Sequence, residues 1–176
     1  QEYDNTRLIS EVFDGIRYRY VGFDNYGKAT INEAMTAANI GDILVLKSGT
    51  YAGNFTLKDG VSIYGGYAET GVRDIDVNKT IIDGAIKATS IDNITEINGL
   101  TIYGGVDVSY SSERLAVRNN KIIGGTTGTW GYNCGVYAYS SNAIIDGNTI
   151  IASQMGIWIE NGSSVTVTNN IVKGAS

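Results

Sequence analysis

The chain has no histidine, no proline and one cysteine among its 176 residues. Without imidazole there is no Ser-His-Asp or Cys-His apparatus and no histidine-ligated metal. Cys134, alone, forms no internal disulfide and reads as a small buried hydrophobe. No apolar run approaches the ~18 residues of a membrane-spanning helix. Thirteen Lys and Arg against 18 Asp and Glu leave a net charge of −5, and no basic run marks a surface that tracks phosphates, so nucleic acid is not an expected partner. The missing proline suits strands in which every N–H must reach a neighbour.

Glycine is abundant instead, at 23 residues, nearly twice the usual ~7% share. Repeats explain why. "LAVRNNKIIGG" (115–125), "AIIDGNTIIAS" (143–153) and "VTVTNNIVKGA" (165–175) each run from an alternating apolar stretch through Asn to a second apolar stretch. Asn120, Asn148 and Asn170 fall in register, and "TEINGLTIYGG" (95–105) is a fourth copy with Leu100 in the Asn place. With Ile97, Val117, Ile145 and Val167 equivalent, the steps are 20, 28 and 22 residues. A second element, "GVDVS" (105–109), "GVYAY" (135–139) and "GIWIE" (156–160), repeats alongside.

A period near 21 residues with several short strands is one turn of a coil, and only stacked turns bury its inward side chains. The inward columns are expected to be Val106–Val136–Ile157, Val108–Ala138–Ile159 and Ile102–Ile122–Ile150–Val172, with glycine and Asn at corners that need positive φ. The L-x-x-L-x-L pattern of a leucine-rich repeat is not visible, and a β-sandwich would not keep the register. The expected fold is therefore all-β: a parallel β-helix solenoid of about six turns. "TINEAMTAAN" (30–39) carries a capping box, Thr30 with Glu33, and predicts a short helix that caps the first coil. Upstream, Ile9, Val12, Phe13 and Ile16 have helix spacing and predict a short helix over 8–16, "LISEVFDGI", followed by a strand at "RYRYVG".

Residues 29 to 176 resemble right-handed parallel β-helix proteins of the pectin-lyase-like superfamily. The segment "ATINEAMTAANIGDILVLKSGTYAGNFTLKDGVSIYGGY" is similar to their first coils, and "NKTIIDG", "INGLTIYGG" and "VRNNKIIGG" to repeats of bacterial surface β-helix proteins. The resemblance implies a right-handed β-helix over 29–176 behind an N-terminal extension over 1–28, placed extracellularly or on a cell surface, or else on a virion. It leaves activity open, because the superfamily holds lyases, hydrolases, esterases, adhesins and phage tailspikes.

Enzymes of that kind work on the outer face of a sheet with clustered acids, often beside Arg or Lys. Here the outward columns of the best-aligned sheet are Asp107–Tyr137–Trp158 and Ser109–Tyr139–Glu160, with no Arg or Lys expected in either. Asp107 and Glu160 lie two turns apart, ~10 Å, at or beyond the spacing of an inverting carboxylate pair. Trp130 and Tyr132, in an insertion beside this face, extend a strip suited to stacking on sugar rings; stacking that merely stabilises the sheet is the alternative. No acid cluster with an arginine is visible, so the expectation is a non-catalytic structural, adhesive or filament-forming module, with polysaccharide as the partner that the aromatic strip suits. A polysaccharide lyase or glycoside hydrolase fragment and a phage tail module are the alternatives. No cofactor or metal is required, although Asp74 and Asp76 admit a loop-bound calcium. The final coil, through Val165, Val167, Ile171 and Val172, presents strand edges that downstream coils or a second copy would cover.

Overall fold

The computed structural model describes residues 10–23, 30–124, 134–152 and 154–174. Its strands fall into three sheets visited in rotation. Sheet A holds β1 (Ser10–Phe13), β2 (Ile16–Val21), β3 (Ile43–Lys47), β6 (Ser62–Tyr67), β9 (Thr95–Asn98), β12 (Leu115–Arg118), β15 (Ile144–Asp146) and β18 (Thr166–Thr168). Sheet B holds β4 (Gly49–Ala52), β7 (Thr80–Asp83), β10 (Thr101–Ile102), β13 (Lys121–Ile123), β16 (Thr149–Ala152) and β19 (Ile171–Gly174). Sheet C holds β5 (Phe55–Thr56), β8 (Ile86–Thr89), β11 (Val106–Ser109), β14 (Cys134–Tyr139) and β17 (Met155–Glu160). The chain passes from A to B to C and stacks each circuit on the last, and the strand pairs are parallel except β1 with β2. This is the β-helix that the repeats demand.

Alternation places every second residue inward, and the expected columns hold. Ile97, Val117, Ile145 and Val167 stack in sheet A. Ile82, Ile102, Ile122, Ile150 and Val172 stack in sheet B. Ile86, Val106, Val136 and Ile157 stack in sheet C. Most of these side chains belong to one continuous buried cluster, where each contributes about 1.5–3 kcal/mol of apolar burial.

The corner between sheets A and B turns on left-handed residues: Gly99, Asn119, Gly147 and Asn169 all have φ between +53° and +71°. The residue after each points inward, and there Asn120, Asn148 and Asn170 form a hydrogen-bonded ladder. Asn120 Nδ2 donates to Asn148 Oδ1 at 3.1 Å, and Asn148 Nδ2 to Asn170 Oδ1 at 2.9 Å. Each amide also donates to the strand of the preceding coil, at Ile97 O, Val117 O and Ile145 O. A second ladder closes the corner after sheet C. The Ile91 N–H donates to Ser111 Oγ, that of Ser111 to Ser141 Oγ, and that of Ser141 to Ser163 Oγ.

The helix α1 (Ile31–Ala37) is shorter than the 30–39 expected because Ala38 is already extended. Its capping box is as the sequence predicts: Thr30 Oγ1 accepts the Glu33 N–H, and Glu33 Oε2 accepts the Thr30 N–H. Ile31, Ala34 and Met35 face the core. Lys58 Nζ donates to Ala38 O at 2.6 Å, placing a cation at the negative end of the helix.

The helix expected over 8–16 is not formed over 10–16, and residues 8 and 9 lie outside the described residues. β1 and β2 make an antiparallel hairpin instead, with Asp14 and Gly15 at φ +49° and +77°. Asp-Gly is a preferred two-residue hairpin turn. It outweighs the helical spacing of Val12, Phe13 and Ile16, which the structure leaves exposed. β2 then joins sheet A parallel to β3, and its Arg19 forms a buried ion pair with Asp42, Nε to Oδ2 at 2.6 Å.

Asp59 ties the turn after β5 to the following coil. Its Oδ1 accepts the N–H groups of Asp92 and Asn93, both at 2.8 Å, and its Oδ2 accepts Asn93 Nδ2 at 2.6 Å. Partial burial pushes its carboxyl up, but bonds from Asn93, Asp92 and Gly60 together more than offset that and hold it below its ordinary value. A depressed carboxyl stabilises the fold above its unfolded value, near ~3.9, and that gain is lost as pH falls through the folded one. Asp59→Ala should therefore cost ~2 kcal/mol at pH 7 and less at pH 3. A urea midpoint equally shifted at both pH values would refute this account.

Candidate functional sites on the outer faces

The outer face of sheet C carries the aromatic strip. Register places Lys87, Asp107, Tyr137 and Trp158 in one column, and Thr89, Ser109, Tyr139 and Glu160 in the next. The rings touch in series. Tyr110 meets Tyr139 edge-on at 5.5 Å, Tyr139 lies 6.3 Å from Tyr137, and Tyr137 meets Trp158 at 5.4 Å. Asp107 Oδ1 accepts the Ser109 hydroxyl at 2.8 Å, and Glu160 Oε2 accepts the Tyr137 hydroxyl at 3.1 Å. Burial and then that bond push Tyr137 up to about 12, so its proton stays in place at neutral pH. The expectation that no Lys or Arg enters these columns is corrected: Lys87 pairs with Asp107 one coil below. The repeated five-residue element begins at β11, and β8 beneath it does not share that pattern, so the repeat does not reveal Lys87. Trp130 and Tyr132 lie outside the described residues.

A second constellation lies on the outer face of sheet A. Asn98, Arg118, Asp146 and Thr168 share one column, and Glu96 sits beside it. Glu96 accepts the Tyr64 hydroxyl at 2.8 Å and Asn98 Nδ2 at 2.7 Å. Arg118 lies between two acids, 3.9 Å from Glu96 and 3.7 Å from Asp146. Arg73 reaches in from the 68–79 loop, donating to Asn98 Oδ1 and Gly65 O, with its guanidinium over the Tyr64 and Tyr67 rings. The expectation that no acid cluster includes an arginine is thus overturned. The signal was available, since this column is the residue after each of Ile97, Val117, Ile145 and Val167. Its chemistry is that of a satisfied seam. Bonds from Thr168 and Asn169 hold Asp146 below its ordinary value, whereas a general acid needs a carboxyl pushed up.

The C-terminal coil ends sheets A and B with β18 and β19. Val165 packs partly against the core, while Val167, Ile171 and Val172 are exposed. Asp74 serves its own turn, accepting the N–H groups of Asp76 and Val77. No helix is long and apolar enough to cross a membrane among the described residues. Neither do those residues bring three or more His, Cys, Asp or Glu together around a possible metal position.

Three sulfurs exist. Met35 Sδ is held under α1 and accepts the Lys58 N–H at 3.4 Å. Cys134 is buried, which pushes its thiol up, and pairs in register with partly buried Met155. The family model described as "Periplasmic copper-binding protein (NosD)" matches residues 14–175. No curated protein and no solved structure matches the chain. Copper takes imidazole, thiolate and thioether ligands in sets. With no histidine and with Met35 held in the core, the described residues offer one soft pair, Cys134 beside Met155, and no third ligand, which does not fit a resident copper ion. The match nevertheless spans nearly all of the β-helix, and the chain belongs to the NosD family of periplasmic proteins.

Proposed function

We propose that this chain is a non-catalytic β-helix module of the cell envelope that holds glycan against the aromatic strip of sheet C. The observation that carries the reading is the unbroken series of rings from Tyr110 through Tyr139 and Tyr137 to Trp158, flanked by the carboxylates of Asp107 and Glu160. Tyr110 is exposed and Tyr139 and Trp158 are partly so, while buried Tyr137 braces them from within; exposed rings offer an apolar face to the C–H face of a pyranose, and carboxylates accept its hydroxyls. Parallel stacking sets the rings ~4.8 Å apart along the helix axis, so the strip follows an extended chain better than a single sugar.

The non-catalytic half rests on protonation. Burial keeps the proton on Tyr137, whose hydroxyl donates a hydrogen bond to Glu160. In the Arg118 seam, bonds from Thr168 and Asn169 hold Asp146 as a carboxylate, the opposite of the raised carboxyl that a general acid needs.

The test is affinity electrophoresis in gels containing a neutral β-glucan, beside co-sedimentation with peptidoglycan sacculi. Retention by at least one is expected, with Trp158→Ala weakening it about tenfold, ~1.4 kcal/mol, and leaving the melting temperature nearly unchanged. Retention by neither, or equal retention of Trp158→Ala and Tyr139→Ala, would sink the glycan reading. New reducing ends in the same incubations would overturn the non-catalytic one.

A further inference from the structure

The A–B corner carries a groove that neither outer face uses. Its volume is about 220 Å³, below the ~300–1,000 Å³ of clefts that take drug-sized ligands and suited to a single ring. One wall is the 72–79 loop, with Lys79 and Asp76. The other is the outer column of sheet B, where Thr101, Lys121 and Thr149 stack on successive coils. Gly147 keeps the upper end open: a Cβ there would lie 2.9 Å from Asn119 Oδ1, on a backbone at φ +67°.

Two features of the groove point to a ligand. The Thr101 side chain is nine-tenths buried, yet its hydroxyl has no hydrogen-bond partner among the described residues. Buried polar groups are almost always satisfied, and an unmet one costs about 1–3 kcal/mol. Beside it, Lys121 has no carboxylate partner among the described residues. The second cation, Lys79, donates to Ile75 O at 2.9 Å, and Asp76, 3.6 Å away, has its side chain 93% exposed at the rim. On an acidic protein, two lysines line the groove that holds this unmet hydroxyl.

We infer that this groove binds one pyranose unit bearing an oxyanion, its carboxylate or phosphate between Lys121 and Lys79 and its ring hydroxyls on Thr101, Thr149 and Asn119. This goes beyond the glycan strip of sheet C, which lies on another face and does not depend on it.

The experiment is titration of the amide spectrum with glucuronate, glucose 6-phosphate, glucose and inorganic phosphate. Glucuronate or glucose 6-phosphate should shift the resonances of Thr101, Asn119, Lys121 and Thr149 with a dissociation constant of ~1 mM or tighter. Whichever binds more tightly identifies the oxyanion. Glucose should bind at least roughly tenfold more weakly. Lys121→Gln should lose about the same factor. Thr101→Val removes only the unmet hydroxyl, so it should lose binding while melting no lower than the wild type. Four outcomes would overturn the inference: no shifts in the groove, glucose binding equally well, inorganic phosphate binding as tightly as the sugars, or Thr101→Val binding unchanged.

Discussion

Replacing Ile150 by aspartate should leave the chain without a cooperative fold at neutral pH, whereas the same change at Ile151, one residue on, should cost only about 1 kcal/mol. Ile150 is fully buried and sits between Ile122 and Val172 in the sheet B column. A carboxylate there meets no cation and no donor, and its desolvation rivals or exceeds the ~5–15 kcal/mol that holds a domain together. Ile151 belongs to the outer face and is only partly buried. Ile150→Val, which removes one methyl group, should cost ~1 kcal/mol. Circular dichroism and thermal melts of the three variants read the result. An Ile150→Asp protein that melts cooperatively near the wild-type temperature would mean that the column is not the core.

Stacking made the coils legible in the sequence. Every circuit must place an apolar residue over the last one, so a 20-, 28- or 22-residue step still returns Val117, Ile145 and Val167 to the column of Ile97. Insertions fall at corners and leave the register untouched. Over nine residues a helical spacing arises by chance, so the periodicity of 8–16 says little about the N-terminal hairpin. The Asp14-Gly15 dipeptide is a backbone requirement and carried the better information. The serine ladder was also hidden. Tyr139 aligns with Glu160, so Ser141 aligns with Gly162, yet the next rung is Ser163 because that corner is one residue longer.

The sites were less legible for a related reason. Inward positions are constrained to be apolar and announce themselves, whereas outward positions admit almost any residue and acquire meaning only from their neighbours. Arg118 reads as an ordinary exposed cation until the register sets it between Glu96 and Asp146. Thr101 is unremarkable in sequence, and its interest comes from burial without a partner. Lys87 joined the strip only once β8 was placed under β11.

Asn148→Leu should cost ~3–5 kcal/mol, although leucine has a similar volume and occupies the same place at Leu100. Asn148 is 1% exposed. Its Nδ2 donates to Val117 O, Asp146 O and Asn170 Oδ1, and its Oδ1 accepts both the N–H and the Nδ2 of Asn120. Leucine would orphan several of these groups at a buried position, and orphaned groups cost more than the bonds were worth. Leu100 escapes this because nothing below needs an amide. In the preceding coil the Gly66 N–H is met by the Thr80 hydroxyl at 3.0 Å, and the Leu100 backbone is met on both sides, its N–H by Asn120 Oδ1 and its carbonyl by the Lys121 N–H. The position is thus apolar at the start of the ladder and amide-bearing thereafter. Asn120→Leu, the first rung, should cost less than Asn148→Leu, since it leaves the Asn148–Asn170 pair intact. Urea denaturation of both variants measures the difference. Costs within ~1 kcal/mol of the wild type, or the reverse order, would show that the ladder follows the fold rather than specifying it.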